Sequence, residues 1–135
     1  MALKKWGQPR ARFRSQSARQ PGRLNMPLYM YQAAYTAESI AAQLKKPENR
    51  VEAVGRSVCE AVGGKLVGGW YCFGDYDLAI IADVPNNESM TAIALAIAAG
   101  GAVKSAKTTV LMSGAEAVAG MKKAEAVAKV YKPAR

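Results

Sequence analysis

Between Trp70 and Ile81 the chain reads Trp-Tyr-Cys-Phe-Gly-Asp-Tyr-Asp-Leu-Ala-Ile-Ile. Two runs of aromatic and aliphatic residues flank a Gly-Asp step, the pattern of a β-hairpin closed by a tight turn. With Gly74 and Asp75 as the loop, Phe73 lies opposite Tyr76, Cys72 opposite Asp77, Tyr71 opposite Leu78 and Trp70 opposite Ala79. Side chains alternate along a strand, so Asp77 shares a face with Trp70 and Cys72, while Phe73, Tyr71 and Tyr76 share the other. Gly74 supplies the positive φ that such a turn demands.

The rest of the chain can be read outward from this hairpin. Residues 27–35 (PLYMYQAAY) set Tyr29, Tyr31, Ala33 and Tyr35 on one face and Leu28, Met30, Gln32 and Ala34 on the other. Both faces are largely apolar, as in a central strand. Thr36 with Glu38 marks a helix start, Pro47 interrupts it, and residues 48–62 form a second helical piece ended by Gly63-Gly64. Residues 65–73 and 76–83 are the hairpin strands. Pro85-Asn86-Asn87 turns into a helix over 88–99, apolar nearly all round and therefore expected to be buried. Gly100-Gly101 ends it, residues 103–112 form a fourth strand, and Ser113 with Glu116 is a capping box opening a last helix to about residue 129.

This order predicts an α+β chain, a ferredoxin-like βαββαβ unit with a four-stranded antiparallel sheet and an extra C-terminal helix. Helices on one side leave the other sheet face open, and either parity makes that face apolar. Such a face needs a cover, so a homo-oligomer with packed sheets is expected, a homodimer being the simplest closure, with Tyr31 taken as a residue of the open face.

Composition narrows the function. A chain of 135 residues, half of them apolar, suits one modest core, and no apolar run is long enough to cross a membrane. There is no histidine, which excludes a Ser-His-Asp triad, a His-ligated zinc and a His-ligated haem. The two cysteines, Cys59 and Cys72, form no CxxC pair and read as reduced thiols in a cytoplasmic protein. The Gly pairs close helices rather than open them, so no phosphate loop is present. No metal and no cofactor is expected. Of the nineteen Lys and Arg, seven fall in residues 1–25, which hold no acid; the remaining twelve face ten acids, a net of only +2. Residues 1–25 therefore read as a basic, disordered arm: an extension upstream of a start at Met26, an organelle transit peptide or a nucleic-acid-binding tail. A groove-reading surface would need basic residues in the body too, which weighs against nucleic acid. Residues 26–135 form the domain.

Residues Tyr29-Met-Tyr-Gln-Ala-Ala-Tyr35, Gly63-Gly-Lys-Leu-Val-Gly68 with Trp70-Tyr71, Gly74-Asp-Tyr-Asp77, the Ala-rich helix after Pro85 and Gly100-Gly-Ala-Val-Lys-Ser-Ala-Lys-Thr-Thr109 together resemble the GYD-domain family of small bacterial proteins, over Met26 to about Met121. The resemblance implies a dimeric α+β barrel, the architecture of antibiotic-biosynthesis-type monooxygenases and muconolactone isomerases. It brings no assigned activity, since the family is functionally uncharacterised.

Among candidate site residues, Asp77 beside an indole could act as a general base or a polar anchor, its pKa raised by poor hydration; the competing role is to bond backbone groups around the turn or face solvent at the sheet end. Trp70, Tyr71 and Tyr31, with Tyr29 and Tyr35, could line a pocket for a flat organic ligand, or simply form core. Tyr76 pairs with Phe73 across the strands or flanks the site. Lys107 could reach Asp77 or a ligand anion, or lie along the surface. Three functions compete: a small-molecule-binding or accessory protein, a cofactor-independent monooxygenase or isomerase acting on a small aromatic or polyketide-like substrate, and a nucleic-acid partner. They rank in that order: the lack of histidine and of a paired acid and base weighs against the second, and the confinement of positive charge to the arm against the third.

Overall fold

A computed structural model describes residues 27–135; the expectation of a basic arm over residues 1–25 lies outside the described residues. The elements run β1 (Leu28–Tyr35), α1 (Ala37–Lys45), α2 (Arg50–Ala61), β2 (Lys65–Tyr71), β3 (Leu78–Asp83), α3 (Asn87–Ala99), β4 (Val103–Leu111) and α4 (Gly114–Ala128). Each helix starts where its sequence supplies an acceptor for otherwise unpaired N–H groups. Thr36 takes the Ser39 N–H, Asn49 that of Glu52, and Asn86 that of Ser89. Ser113 and Glu116 form the reciprocal capping box of α4. The end of α2 is a Schellman closure: Gly64 N–H donates to the Cys59 carbonyl and Gly63 N–H to that of Glu60. Gly63 holds φ +80° there, which a β-carbon would oppose.

The sheet order is β2-β3-β1-β4 with every neighbour antiparallel, the ferredoxin-like topology expected of a split βαβ pair. Its register decides which face is which. Tyr29, Tyr31 and Ala33 stand opposite Ala82, Ile80 and Leu78, and all six are buried beneath the helices. Val51, Gly55 and Cys59, one residue per turn of α2, press onto this face. Gly69 faces them from β2: a β-carbon there would come within 2.9 Å of Val51, so the missing side chain is what lets α2 lie close to the sheet. From α3 come Met90 and Ile93. Each Val- or Ile-sized side chain buried here contributes about 1.5–3 kcal/mol, so Val51, Ile80, Val84 and Ile93 hold the layers together.

Tyr31 does not belong to the open face. It is 2% exposed and lies under the helices, because the apolar stripe of α2 selects the Tyr29-Tyr31-Ala33 parity. The open face carries Met30 and Gln32, opposite Ile81 and Ala79 on β3 and Thr109 and Lys107 on β4. The helix expected to be buried all round is not: α3 sinks Met90 and Ile93, while Leu95 is 64% exposed. Its alanines made it read as apolar on every side, and alanine packs or stands in water at little cost. The hairpin keeps the expected register at Trp70–Ala79 and Tyr71–Leu78, and Cys72 N–H still donates to the Asp77 carbonyl. Regular pairing stops there. Phe73 is wholly exposed, so the Phe73–Tyr76 aromatic pair does not form. Gly74 has the expected positive φ, +118°. No helix among the described residues is long and apolar enough to cross a membrane.

Candidate functional site

Helices α2 and α3 both bury residues against the sheet. Between them lies a cavity of about 310 Å³, floored by Tyr31, Tyr35, Leu78 and Ile80. One wall is α2, through Val51, Val54 and Val58; the other is Ala96 and Ile97 of α3 with the turn into β4. The residues facing α2 are small, Ala96, Gly100 and Ala102, which is why the space stays open. The rim is tied down by Thr36 N–H, which donates to the Ala102 carbonyl at 2.9 Å. Helix α1, which buries no residue, does not close it.

Three polar side chains stand at this apolar chamber. Tyr31 is almost entirely buried, and its hydroxyl has no hydrogen-bond partner; burial also pushes its pKa above the usual phenol range. Tyr35 is pushed up too, first by burial and then by Tyr71 and Asp77, while Arg50 and Gln43 act in the opposite sense. Both are therefore neutral phenols near pH 7, able to donate a hydrogen bond but not to act as bases. Arg50, the first residue of α2, is exposed at the rim. Its backbone N–H donates to the Tyr71 hydroxyl at 3.2 Å, and that hydroxyl donates weakly to the Glu48 carbonyl at 3.5 Å. Among the described residues the Arg50 guanidinium pairs with no carboxylate; the ion pair in this region is Lys46–Glu48. An outer cleft of about 540 Å³, lined by Ser39, Gln43, Lys46 and Glu48, shares Arg50, Gly100 and Ala102 with the chamber.

The residues singled out in the sequence do not converge. Tyr31 lines the chamber, and Tyr71 reaches its rim through the Arg50 N–H. Trp70 is on the open face, 56% exposed, with its indole lying over Gly68. Lys107 is exposed opposite Gln32 and forms no ion pair with Asp77. Tyr76 is half-buried in the connection, where its carbonyl accepts the Cys72 thiol. Asp77 reaches towards β1: one carboxylate oxygen accepts the Tyr35 N–H at 2.8 Å, and its own N–H donates to the Ala33 carbonyl at 2.8 Å. Cys59 is fully buried, its thiol pushed up to about 11 by burial first and then by Asp83 and Glu60. Among the described residues no three His, Cys, Asp or Glu come together as a metal-binding group. Sequence reasoning passed over Arg50. Its one signal was its place just after the Asn49 cap, where a helix N-terminus meets the hairpin.

No curated protein sequence matches the chain. Among solved structures, an AsnC family transcriptional regulator from Agrobacterium tumefaciens is similar at 13% identity and a TM-score of 0.42; the match covers 70% of this chain and 56% of the regulator's. The chain thus spans little more than half of that regulator's length. The model of the GYD domain matches residues 29–121, most of the described fold, and the chain belongs to the GYD-domain family.

Proposed function

We propose that this GYD-domain protein binds a small, largely apolar molecule in the chamber between α2, α3 and the sheet. The observation that carries the reading is the chamber itself: about 310 Å³ of preformed space with Val, Leu and Ile walls beside a buried tyrosine hydroxyl that lacks a partner. That volume lies at the small end of the range for ligand sites. An unpaired buried hydroxyl costs roughly 1–3 kcal/mol, and a ligand bringing a polar atom to Tyr31 recovers part of it. Binding without chemistry is favoured over a cofactor-independent oxygenase or isomerase. Among the described residues no Asp or Glu lines the chamber, and Asp77 is engaged by the Tyr35 backbone.

The protein acts as a homo-oligomer, its open sheet faces packed together; the apolar Met30–Ile81 pair at the centre of that face supports this.

The test is native mass spectrometry of the protein purified from its own host, beside a Val54→Trp variant whose indole fills the chamber. A retained small molecule that disappears in the variant, with the circular dichroism spectrum unchanged, supports the reading. A molecule retained equally by both rules the chamber out as its site.

A further inference from the structure

The chamber and the outer cleft differ in character, and they meet at one charged side chain. The inner space is walled by Val54, Val58, Leu78 and Ile80, whereas the outer one is lined by hydroxyl, amide and charged groups. A ligand occupying both is therefore amphipathic, with its apolar body inside and its polar end at the junction. Arg50 stands at that junction. The two acids of the cleft do not satisfy it: Glu48 pairs with Lys46 at 3.8 Å, and Glu38 forms no ion pair among the described residues. Arg50 also opens α2, a twelve-residue helix, so the positive end of the helix dipole adds to its charge there. A guanidinium offers a planar fork of donors that matches a carboxylate with two parallel hydrogen bonds.

From this juxtaposition we infer that the ligand is an organic anion, a small aromatic or aliphatic carboxylate, held with its apolar body in the chamber and its carboxylate against Arg50. The inference rests on the binding reading above and deepens it. The chamber sets the size: about 310 Å³ equals the volume of roughly ten water molecules, enough for a two-ring body and not for a long acyl chain. Tyr35 lines the same chamber as Arg50.

The experiment uses two probes of one shape, 2-naphthoate and neutral 2-naphthamide, titrated calorimetrically into the full-length protein and into Arg50→Gln and Arg50→Lys variants. The bonds Arg50 gives the fold come from its backbone N–H, so both variants fold, and circular dichroism checks it. The expected result is that naphthoate binds at least tenfold more tightly than naphthamide. Arg50→Gln removes that difference by weakening naphthoate alone, and Arg50→Lys restores part of it. Raising the salt concentration weakens naphthoate and not naphthamide. Equal binding of both probes, unaffected by Arg50→Gln, overturns the anion inference while the chamber reading stands. Binding of neither probe at millimolar concentration overturns both.

Discussion

The Asp77 carboxylate accepts the Tyr35 backbone N–H at 2.8 Å, across the gap between the start of β3 and the end of β1. At this point the ladder between the two strands has run out: the last pair is Ala33–Leu78. The carboxylate takes the place of the carbonyl that the next residue pair would have supplied. The same aspartate donates its own N–H to Ala33 and offers its carbonyl to Cys72. One residue thus ties the hairpin, the central strand and the floor of the chamber together, because Tyr35 is part of that floor.

From this follows a graded effect of substitution. Asp77→Ala leaves the Tyr35 N–H without an acceptor and is expected to cost about 1–3 kcal/mol, read from urea unfolding. Asp77→Asn keeps an amide oxygen in the same place and should cost about 1 kcal/mol or less. Equal stability of the alanine variant and the wild type would show that water replaces the carboxylate freely and that the tie is not structural.

Tyr31 presents the opposite case. Its hydroxyl is buried and unpartnered, so Tyr31→Phe removes a polar atom without opening a cavity. The ligand-free variant should be as stable as the wild type or more stable, by up to about 1 kcal/mol. The same change is expected to weaken retention of the ligand by several fold. A phenylalanine variant that is markedly less stable in urea would mean that the hydroxyl has a partner in solution, an ordered water being the simplest.

Cys59 gives the alkaline limit of stability. Its thiol has a folded-state pKa of about 11 against the ordinary 9.0, raised first by burial. A raised acid pKa means that the fold favours the neutral thiol. The contribution is fully present below pH 9, where both states are protonated, and it is lost as pH rises from 9 to about 11. Two units correspond to about 2–3 kcal/mol at most. Denaturant midpoints between pH 8 and pH 11 should fall more steeply for the wild type than for Cys59→Ala, which starts lower because a buried group is lost. Parallel slopes would remove Cys59 from the account. Tyr29, Tyr31 and Tyr35 are raised as well and steepen both curves alike near the upper end.

How far the fold was legible follows from how local its signals are. The caps at Thr36 and Ser113, the Gly63-Gly64 stop and the Trp70–Ala79 register were visible because each depends on residues a few positions apart. The side of the sheet on which Tyr31 lies was not. Both faces of β1 are apolar, and only the packing of α2, guided by Val51, Gly55 and Gly69, selects one. The partial exposure of α3 was hidden by alanine, which is equally at home in a core and in water. The candidate site was the least legible. A chamber is what side chains fail to fill, and Arg50 becomes part of it only because β1, α2 and the turn after α3 converge in space. Asp77 and Trp70 were drawn together by face parity, yet the carboxylate reaches β1 while the indole lies over Gly68.

The corrected face assignment changes which substitution tests assembly. A charge at Tyr31 would strike the core, where an unpaired buried charge costs several kcal/mol, and would report on folding alone. Ile81 is the informative position. It sits mid-strand on β3, between Met30 on β1 and Gly68 on β2, on the face opposite the one that Val51, Met90 and Ile93 of the described helices cover. In a lone protomer a lysine there extends into water at little cost. In a face-to-face pair it becomes a buried, unpaired ammonium next to the partner's apolar side chains. Ile81→Lys is therefore expected to convert an oligomer into a monomer in sedimentation equilibrium, with the circular dichroism spectrum preserved. The melting temperature should become insensitive to protein concentration, since dissociation no longer accompanies unfolding. If the wild type already sediments as a monomer, or the variant keeps the wild-type mass, assembly through this face is wrong.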